Sequence, residues 1–330
     1  MGITCPEVVW FCTRRQGMYA VNEPHTFDEQ IMKVSLVNVC DAPPGGVVPN
    51  MALLSLAAYT REKLPFPAEI RIHEGDHTLD SILAFGPDVV GFTCLTPLID
   101  RTVKVAHQVR ERSSAFLMIG GLHISGIPES LDRVFDAAVL HEGEETLVEL
   151  LSHIHDGRPR AALRGIEGLA FHEDGPLVIT NRRQAIQNLD SLPFPAYDLV
   201  CPPHGFDPTF FFNGGFKVTL HMMTSRGCPH NCTYCVSSSR WRKVRWHSAE
   251  RVIQNIEHLV NTFGVTRILI ADDYFTWPRE RFRKVHRHLI DSGLNKRLSF
   301  RCFSRCDLLD DETAAMLKEV NCEVLCFGID

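Results

Sequence analysis

The sequence predicts an α/β protein with two bodies, a doubly wound parallel sheet followed by an open, partial (β/α) barrel. A chain of 330 residues is longer than one ordinary domain needs. Short apolar runs alternate with helical segments in residues 33–155, and a second alternation begins at residue 217. Such alternation is typical of parallel strands that helices cover. The predicted segments are an N-terminal extension (1–31), a first body (32–156), a hairpin with a Pro/Phe-rich connector (157–216) and a second body (217–330).

The first body is predicted to hold five strands, each a short apolar run followed by a helical segment. Because these runs are almost continuously apolar, both faces of their sheet are expected to be covered. The strands are expected at 33–40, 69–74, 88–94 and 116–123, with a fifth at the start of 137–155. The helices are expected at 51–63, 78–86, 99–112 and in the remainder of 137–155.

The connecting stretch breaks this rhythm. Asp174-Gly175 suits the turn of a β-hairpin, and "SLPFPAYDLVCPPHG" (191–205) is rich in proline. The next segment, "FDPTFFFNGGF" (206–216), is aromatic and contains a Gly-Gly pair. Its ordinary role is packing between the two bodies, and contact with an apolar substrate is the alternative.

The second body is predicted to hold four strands and three helices, which make an open partial barrel. Ser248 suits the start of its first helix, and Gly293 the end of its second. The last strand ends the chain and exposes a pairing edge, so a fragment or a shortened version of a larger barrel is expected. The strands are expected at 217–225, 267–273, 298–306 and 323–330, and the helices at 248–263, 279–293 and 311–320.

Composition excludes several classes of protein. The net charge is −6 and the pI about 6.2, so no basic field for nucleic acid is present. No apolar run approaches the roughly 18 residues that span a bilayer, and the N-terminus lacks the apolar core of a signal peptide. Twelve cysteines without an export signal indicate a reducing, cytoplasmic location, where thiols serve metals or packing.

Three cysteines stand close together directly after the first strand of the second body. Cys228, Cys232 and Cys235 have the spacing CxxxCxxC. Three thiolates can bind three corners of an iron–sulfur cube and leave the fourth iron open. A zinc site is the alternative, but the second paired ligand motif of a zinc finger is missing. Its fourth ligand would be a distant cysteine or one of His221, His230 and His247.

The segment "RGCPHNCTYC" resembles the signature of radical S-adenosylmethionine (SAM) enzymes. The resemblance implies that the three cysteines hold a [4Fe–4S] cluster, whose open iron binds SAM and cleaves it to a 5′-deoxyadenosyl radical. It places Tyr234 beside the adenine. "LIADDYFT" is similar to the second barrel strand, so Asp272 and Asp273 are expected to contact SAM or substrate, or to cap the following helix. At the end, "FGID" carries Asp330 where the family more often has glutamate.

Three turns in the first body contain glycine, at 42–46, 120–123 and 141–146, without a GxGxxG phosphate motif. A Rossmann-like domain before a radical SAM barrel resembles the cobalamin-binding class of these enzymes. The resemblance implies cobalamin contacts at Gly120, Gly121, His123, Gly143 and Glu144. No DxHxxG motif supplies a cobalt ligand, and His123 either takes that place or hydrogen-bonds to the backbone.

The resemblance implies a cobalamin-dependent radical SAM enzyme, most readily a methyltransferase. Hydrogen abstraction from a small-molecule substrate would be followed by methylation of an unactivated carbon or phosphorus centre. An electron donor such as flavodoxin or ferredoxin is expected. The alternatives are a cyclase or rearrangement enzyme of the anaerobic Mg-protoporphyrin ester cyclase type, and a non-catalytic protein that binds cobalamin or zinc.

Overall fold

The described part of the chain covers residues 31–40, 49–75, 78–200, 219–235, 237 and 243–328 of a computed structural model. Several sequence predictions lie outside these residues. They are those for most of the extension 1–31, the glycine turn 42–46, the Phe-rich segment 206–216 and Asp330.

The first body is built on a seven-stranded sheet. Its strands are β1 (Met32–Asn38), β2 (Ala68–Glu74), β3 (Val89–Thr93), β4 (Phe116–Gly120), β5 (Ala137–Val139), β6 (Leu169–His172) and β7 (Leu177–Ile179). Their order is β2-β1-β3-β4-β5-β6-β7, and β1 to β5 run parallel. The order reverses beside β1, which makes the switch point of a doubly wound sheet. The predicted fold of the first body is confirmed.

Helices cover both faces of this sheet, and each face buries its own apolar cluster. The helices are α1 (Met51–Lys63), α2 (Thr78–Phe85), α3 (Ile99–Arg110), α4 (Leu122–Gly126) and α5 (Glu144–His155). Asn50 caps α1 by accepting the backbone N–H groups of Ala52 and Leu53. Val34 and Val37 of β1 point to opposite faces of the sheet, and both are fully buried. Helices must therefore cover both faces.

The fourth strand is shorter than the sequence predicted. It ends at Gly120 rather than at His123, because Gly121 has a φ of +98° and turns the chain away from the sheet. The N–H group of His123 then donates to the carbonyl oxygen of Cys94 at 3.2 Å, inside the short helix α4. This turn was predicted, but the helix was not.

The predicted hairpin forms at Asp174-Gly175, where both residues have positive φ. It continues the first sheet, since β6 pairs antiparallel with β5 and β7 with β6. Leu169 and Phe171 of β6 are fully buried in the core beneath it. The hairpin therefore extends the first sheet and does not stand apart from it.

The second body is a four-stranded parallel sheet with helices, as predicted. Its strands and the adjoining ribbon are β8 (Thr219–Met222), β9 (Ser225–Arg226), β10 (Arg245–Trp246), β11 (Arg267–Ile270), β12 (Ser299–Phe303) and β13 (Cys322–Cys326), and its helices are α6 (Ala249–Phe263), α7 (Arg279–Asp291) and α8 (Asp311–Glu319). The sheet order is β13-β12-β11-β8, and β9 pairs antiparallel with β10 outside it. Ser248 caps α6 through the N–H group of Arg251, and Gly264 ends it in the left-handed conformation.

The strand predicted at 217–225 ends at Met222 within the described residues. The backbone N–H groups of Thr224 and Ser225 donate to the carboxylate of Asp272 and are lost to the strand ladder. Ser225 then begins the separate β9–β10 ribbon. The carboxylate thus turns the chain out of the sheet just before the cysteines.

The connector joins the two cores. Tyr197 is 1% exposed, packs in the core of the second body and donates its hydroxyl to the carbonyl oxygen of His221 at 2.6 Å. Leu54 of α1 packs into the same core. None of the helices in the described segments combines the length and apolarity of a bilayer-spanning helix.

Candidate active site

A cavity of about 460 Å³ lies at the carboxyl ends of the strands of both sheets. The first body contributes residues that follow β1, β3, β4 and β5, together with the start of α1. The second body contributes the segment after β8, the face of α6 and the end of β11. Carboxyl ends of parallel strands are the usual position of ligand sites in both kinds of fold. The lining includes Asn38, Thr93, Gly121, Met222, Arg226 and Asp273.

Three glycines from the first body line this cavity, as their turns suggested: Gly120, Gly121 and Gly143. A Cβ atom on Gly121 would lie 2.7 Å from both the backbone nitrogen and oxygen of Cys94, and its φ of +98° disfavours other residues. A Cβ atom on Gly143 would lie 3.1 Å from Val139 Cγ1. The Cys94 backbone therefore excludes a side chain at Gly121, and the contact at Gly143 is tight, so these turns carry no side chains where they line the cavity.

His123 does not belong to the lining, although the sequence suggested a cofactor contact there. It is 7% exposed, with Nδ1 lying 3.2 Å from Thr96 Oγ1 and Nε2 3.0 Å from Ser130 Oγ. Both ring nitrogens are thus engaged within the first body. This geometry corrects the suggestion of a cobalt ligand, and it also differs from the alternative, because both partners of the ring are side-chain hydroxyls and not backbone groups.

The cysteine loop follows β9, and all three thiols are partly buried: Cys228, Cys232 and Cys235. Burial raises the pKa of the Cys228 thiol, against a hydrogen bond from the backbone of His230, and the charges of Asp273, Cys235 and Cys232 raise it further. Arg305 donates from Nη1 to Cys232 Sγ at 3.4 Å. A metal deprotonates such thiols when it binds them.

In the described segments, no three side chains of His, Cys, Asp or Glu converge on a single ion. The corner ligands of an iron–sulfur cube bind different irons and need no common point. Three partly buried thiols on one loop are therefore a donor set that fits a cluster. Among the histidines named for a zinc site, His247 has its Nδ1 3.1 Å from Asp190 Oδ1.

Tyr234 lies between the second and third cysteines. It has 67% of its surface exposed and does not line the cavity.

The acidic pair after β11 divides into two environments. Asp272 is 1% exposed and accepts hydrogen bonds from Thr224 N at 2.5 Å, from Ser225 N at 3.1 Å and from the Thr224 hydroxyl. Burial raises its pKa, against these hydrogen bonds and the nearby Arg281 charge. Asp272 therefore holds the base of the cysteine loop, and the predicted contact with SAM or substrate is corrected for this residue.

Asp273 lines the cavity, where a contact with SAM or substrate stays a prediction. Neither carboxylate caps the next helix, because α7 begins at Arg279 with Pro278 before it.

Charged residues that the sequence had not singled out connect the cysteine loop to the first body. Arg226 Nη2 donates to Glu144 Oε1 at 2.5 Å, and its Nη1 lies 3.3 Å from Glu142 Oε1. Arg245 donates to both oxygens of Glu142, at 2.9 and 2.5 Å. Burial alone would raise the pKa of Glu142, but the two arginines hold it below its ordinary value. Glu144 lines the cavity, where a cofactor contact stays a prediction, and it is also bound to Arg226.

Only a weak signal in the sequence could have found this network. Arg226 directly precedes the Gly-Cys pair of the cysteine loop, and Glu142 and Glu144 lie in "HEGEE" between a strand and a helix. Charged residues that stand among small residues at strand ends often form ion pairs, but the sequence does not show which residues pair.

Two family comparisons agree with this geometry. Residues 38–151 match the B12 binding domain, and residues 222–330 match the radical SAM superfamily. The chain belongs to the family of radical SAM enzymes that carry a cobalamin-binding domain. The cofactors of this family are cobalamin, SAM and a [4Fe–4S] cluster.

Similar proteins include methyltransferases and a cyclase. An uncharacterized methyltransferase of Pyrococcus horikoshii is 32% identical over 325 residues, which cover 91% of this chain and 66% of that protein. The anaerobic magnesium-protoporphyrin IX monomethyl ester cyclase of Cereibacter sphaeroides is 31% identical over 215 residues, covering 63% and 34%. The chain therefore spans about two thirds of the first relative and about a third of the second.

A solved structure shares the fold. It is the radical SAM methyltransferase TsrM of Kitasatospora setae with cobalamin and a [4Fe–4S] cluster bound. Its TM-score is 0.69 at 20% identity, and the match covers 91% of this chain and 61% of TsrM.

Proposed function

We propose that this chain forms the cofactor-binding part of a cobalamin-dependent radical SAM methyltransferase. Its substrate would be a small molecule that carries an unactivated carbon or a phosphorus centre. One observation carries the proposal: a single cavity receives both the glycine turns of the first body and residues at the base of the cysteine loop. Both groups of residues face one space, as a reaction shared between two cofactors requires.

The cofactors supply the radical and the methyl group, and the protein supplies position and surroundings. Cys228, Cys232 and Cys235 would hold the cluster through their thiolates. Gly120, Gly121 and Gly143 would form a floor against which the flat face of cobalamin lies.

Other residues of the cavity would contact SAM and exclude water. Met222 and Met223 line the cavity after β8 and would keep water from the reacting centre. Asp273 offers a carboxylate to SAM or substrate, and the backbone at Tyr234 would lie beside the adenine.

A cyclase is the second candidate, and the similarity to the Cereibacter sphaeroides enzyme favours it. Both candidates use the same cofactor positions and differ in what happens to the substrate.

We also propose a cytoplasmic location and a reducing protein partner such as flavodoxin or ferredoxin. The sequence contains twelve cysteines, which suit a reducing compartment where thiols serve metals or packing. Tyr234 is exposed on the cysteine loop, so a docked donor would come close to the cluster. With a net charge of −6, no nucleic-acid partner is proposed.

A methyl-labelling experiment tests the function. The anaerobically reconstituted chain is given reduced cobalamin and SAM with a trideuterated methyl group, and cobalamin is analysed by mass spectrometry. Transfer of the label to cobalamin is expected for a methyltransferase. Binding of cobalamin without any label transfer would contradict methyl transfer and favour the cyclase. Variant Gly121→Ala, whose Cβ would lie 2.7 Å from the Cys94 backbone, serves as the control with weakened cobalamin binding.

A further inference from the structure

A short ribbon carries two arginines that both face the first body. In β9 and β10, Arg226 and Arg245 are directly opposite partners. Like charges in opposite positions on paired strands destabilise a sheet. Here both guanidinium groups contact Glu142, and Arg226 also contacts Glu144. The loop before α5 and the first residue of α5 thus supply the two carboxylates that offset this repulsion.

These charges are largely removed from water. Side-chain exposure is 17% for Arg226, 7% for Arg245, 8% for Glu142 and 5% for Glu144. Burying ion pairs costs desolvation free energy, and apolar residues of similar size would often be at least as stable. What the ion pairs add is a defined geometry, because each arginine meets oxygens in fixed directions. The arrangement therefore favours a role in positioning over a role in stability alone.

The network connects two parts of the proposed active site over a short path. Arg226 lies two residues before Cys228, and Glu144 directly follows Gly143 of the glycine floor. Ser55 of α1 donates to the same Glu144 oxygen at 3.0 Å and lies 3.3 Å from Arg226 Nη2. A displacement of Gly143 would therefore be transmitted through Glu144 and Arg226 to the start of the cysteine loop.

We propose that Arg226 is a positioning residue that sets the distance between the cluster and cobalamin through Glu144. This inference rests on the proposed function, because it assumes that both cofactors occupy the cavity. Arg245 supports the same role, since it orients Glu142 and donates to the carbonyl oxygen of Ile186 at 2.5 Å. The arginine does not touch the reacting atoms and acts only by fixing the two bodies.

Hydrogen exchange of the purified chain tests the connection without any cofactor. In Arg226→Met, amide exchange is expected to become at least about tenfold faster both in the ribbon and in the first turn of α5, which belong to different bodies. The matched control is Arg267→Met. Arg267 is also 17% exposed and pairs with Glu323 at 2.8 Å, but both lie within the second body. The control should leave both segments unchanged.

A second variant covers the case in which Arg226→Met does not fold. Arg226→Lys keeps the charge but cannot reach both glutamates, so it should fold and still exchange faster in both segments. Wild-type exchange in both segments of this variant would overturn the proposal.

The loaded protein gives the second readout. Pulsed electron paramagnetic resonance measures the distance between the reduced cluster and cob(II)alamin, which both carry unpaired electrons. One narrow distance distribution is expected in wild type and in Arg267→Met, and a broadened one in Arg226→Lys. An unchanged distribution in Arg226→Lys would overturn the proposal. If wild type binds no cluster or no cobalamin, the proposed function fails instead, and the exchange experiment still decides whether Arg226 connects the bodies.

Discussion

The buried carboxylate of Asp272 offers a sharp test of how the cysteine loop is held. In Asp272→Asn the shape is kept, but the negative charge beside Arg281 is lost and an amide N–H₂ group faces groups that also donate. Arg281 donates to the Thr224 carbonyl oxygen at 2.9 Å, and its Nη1 already lacks a hydrogen-bond partner among the described residues. The substitution therefore removes one of the two carboxylates that stabilise the buried Arg281 cation and leaves Asp190 as the other.

The expected cost follows from these contacts. An acceptor that is lost from buried donors costs about 1–3 kcal/mol, and the amide oxygen of asparagine still accepts one N–H group. We expect the free energy of unfolding of the second body to fall by about 2 kcal/mol. Urea unfolding, followed by the fluorescence of Trp246 and Trp277, measures it; these rings lie 5.5 Å apart in that body.

The loop should loosen together with this loss. Asp272→Asn is expected to lose its reconstituted iron to a chelator faster than wild type. The matched control is Asp273→Asn, the neighbouring carboxylate at the cavity, which should change the unfolding free energy by less than about 0.5 kcal/mol. Equal stability and equal iron retention in Asp272→Asn and wild type would refute the role given to Asp272.

Three further predictions follow from single positions. Gly121→Ala should weaken cobalamin binding at least about tenfold, because its Cβ would lie 2.7 Å from the Cys94 backbone. Gly175→Ala, at a φ of +111° with open space around it, is the control for backbone strain alone. Equal cobalamin affinity in the two variants would contradict this prediction. Burial lowers the pKa of His73 to about 4, below its unfolded value of about 6.5, so the unfolded state binds more protons and stability should fall as the pH drops from about 6.5 to about 4. Urea titrations at several pH values measure this loss; His73 should contribute at most about 3 kcal/mol of it, and the pH dependence of His73→Gln should be smaller by that contribution. Cys228→Ala should abolish the cluster signal and SAM cleavage while cobalamin affinity stays at the wild-type value; retained SAM cleavage would exclude this cysteine as a ligand.

The sequence predicted the elements well where the signal is local. The cysteine spacing, the apolar strands and the capping residue Ser248 depend on neighbours within a few positions, and the structure has each element in place. The resemblance to radical SAM enzymes also correctly predicted which family the chain belongs to.

Contacts between distant residues could not be predicted in the same way. Asp272 and Asp273 are adjacent and chemically identical, and only the fold shows that one is buried and one lines the cavity. Arg226 and Glu144 are far apart in the chain, so their pairing depends on how the two bodies meet. His123 looked like a ligand because it follows two glycines, but its ring is turned inward by Thr96 and Ser130.

Anaerobic reconstitution with iron and sulfide, followed by SAM and a strong reductant, tests whether the three cysteines hold a cluster that cleaves SAM. We expect about four irons and four sulfides per chain, and release of 5′-deoxyadenosine that disappears when Cys228, Cys232 or Cys235 is replaced by alanine. Protein purified without oxygen that holds zinc and no iron, and that leaves SAM intact, would contradict it.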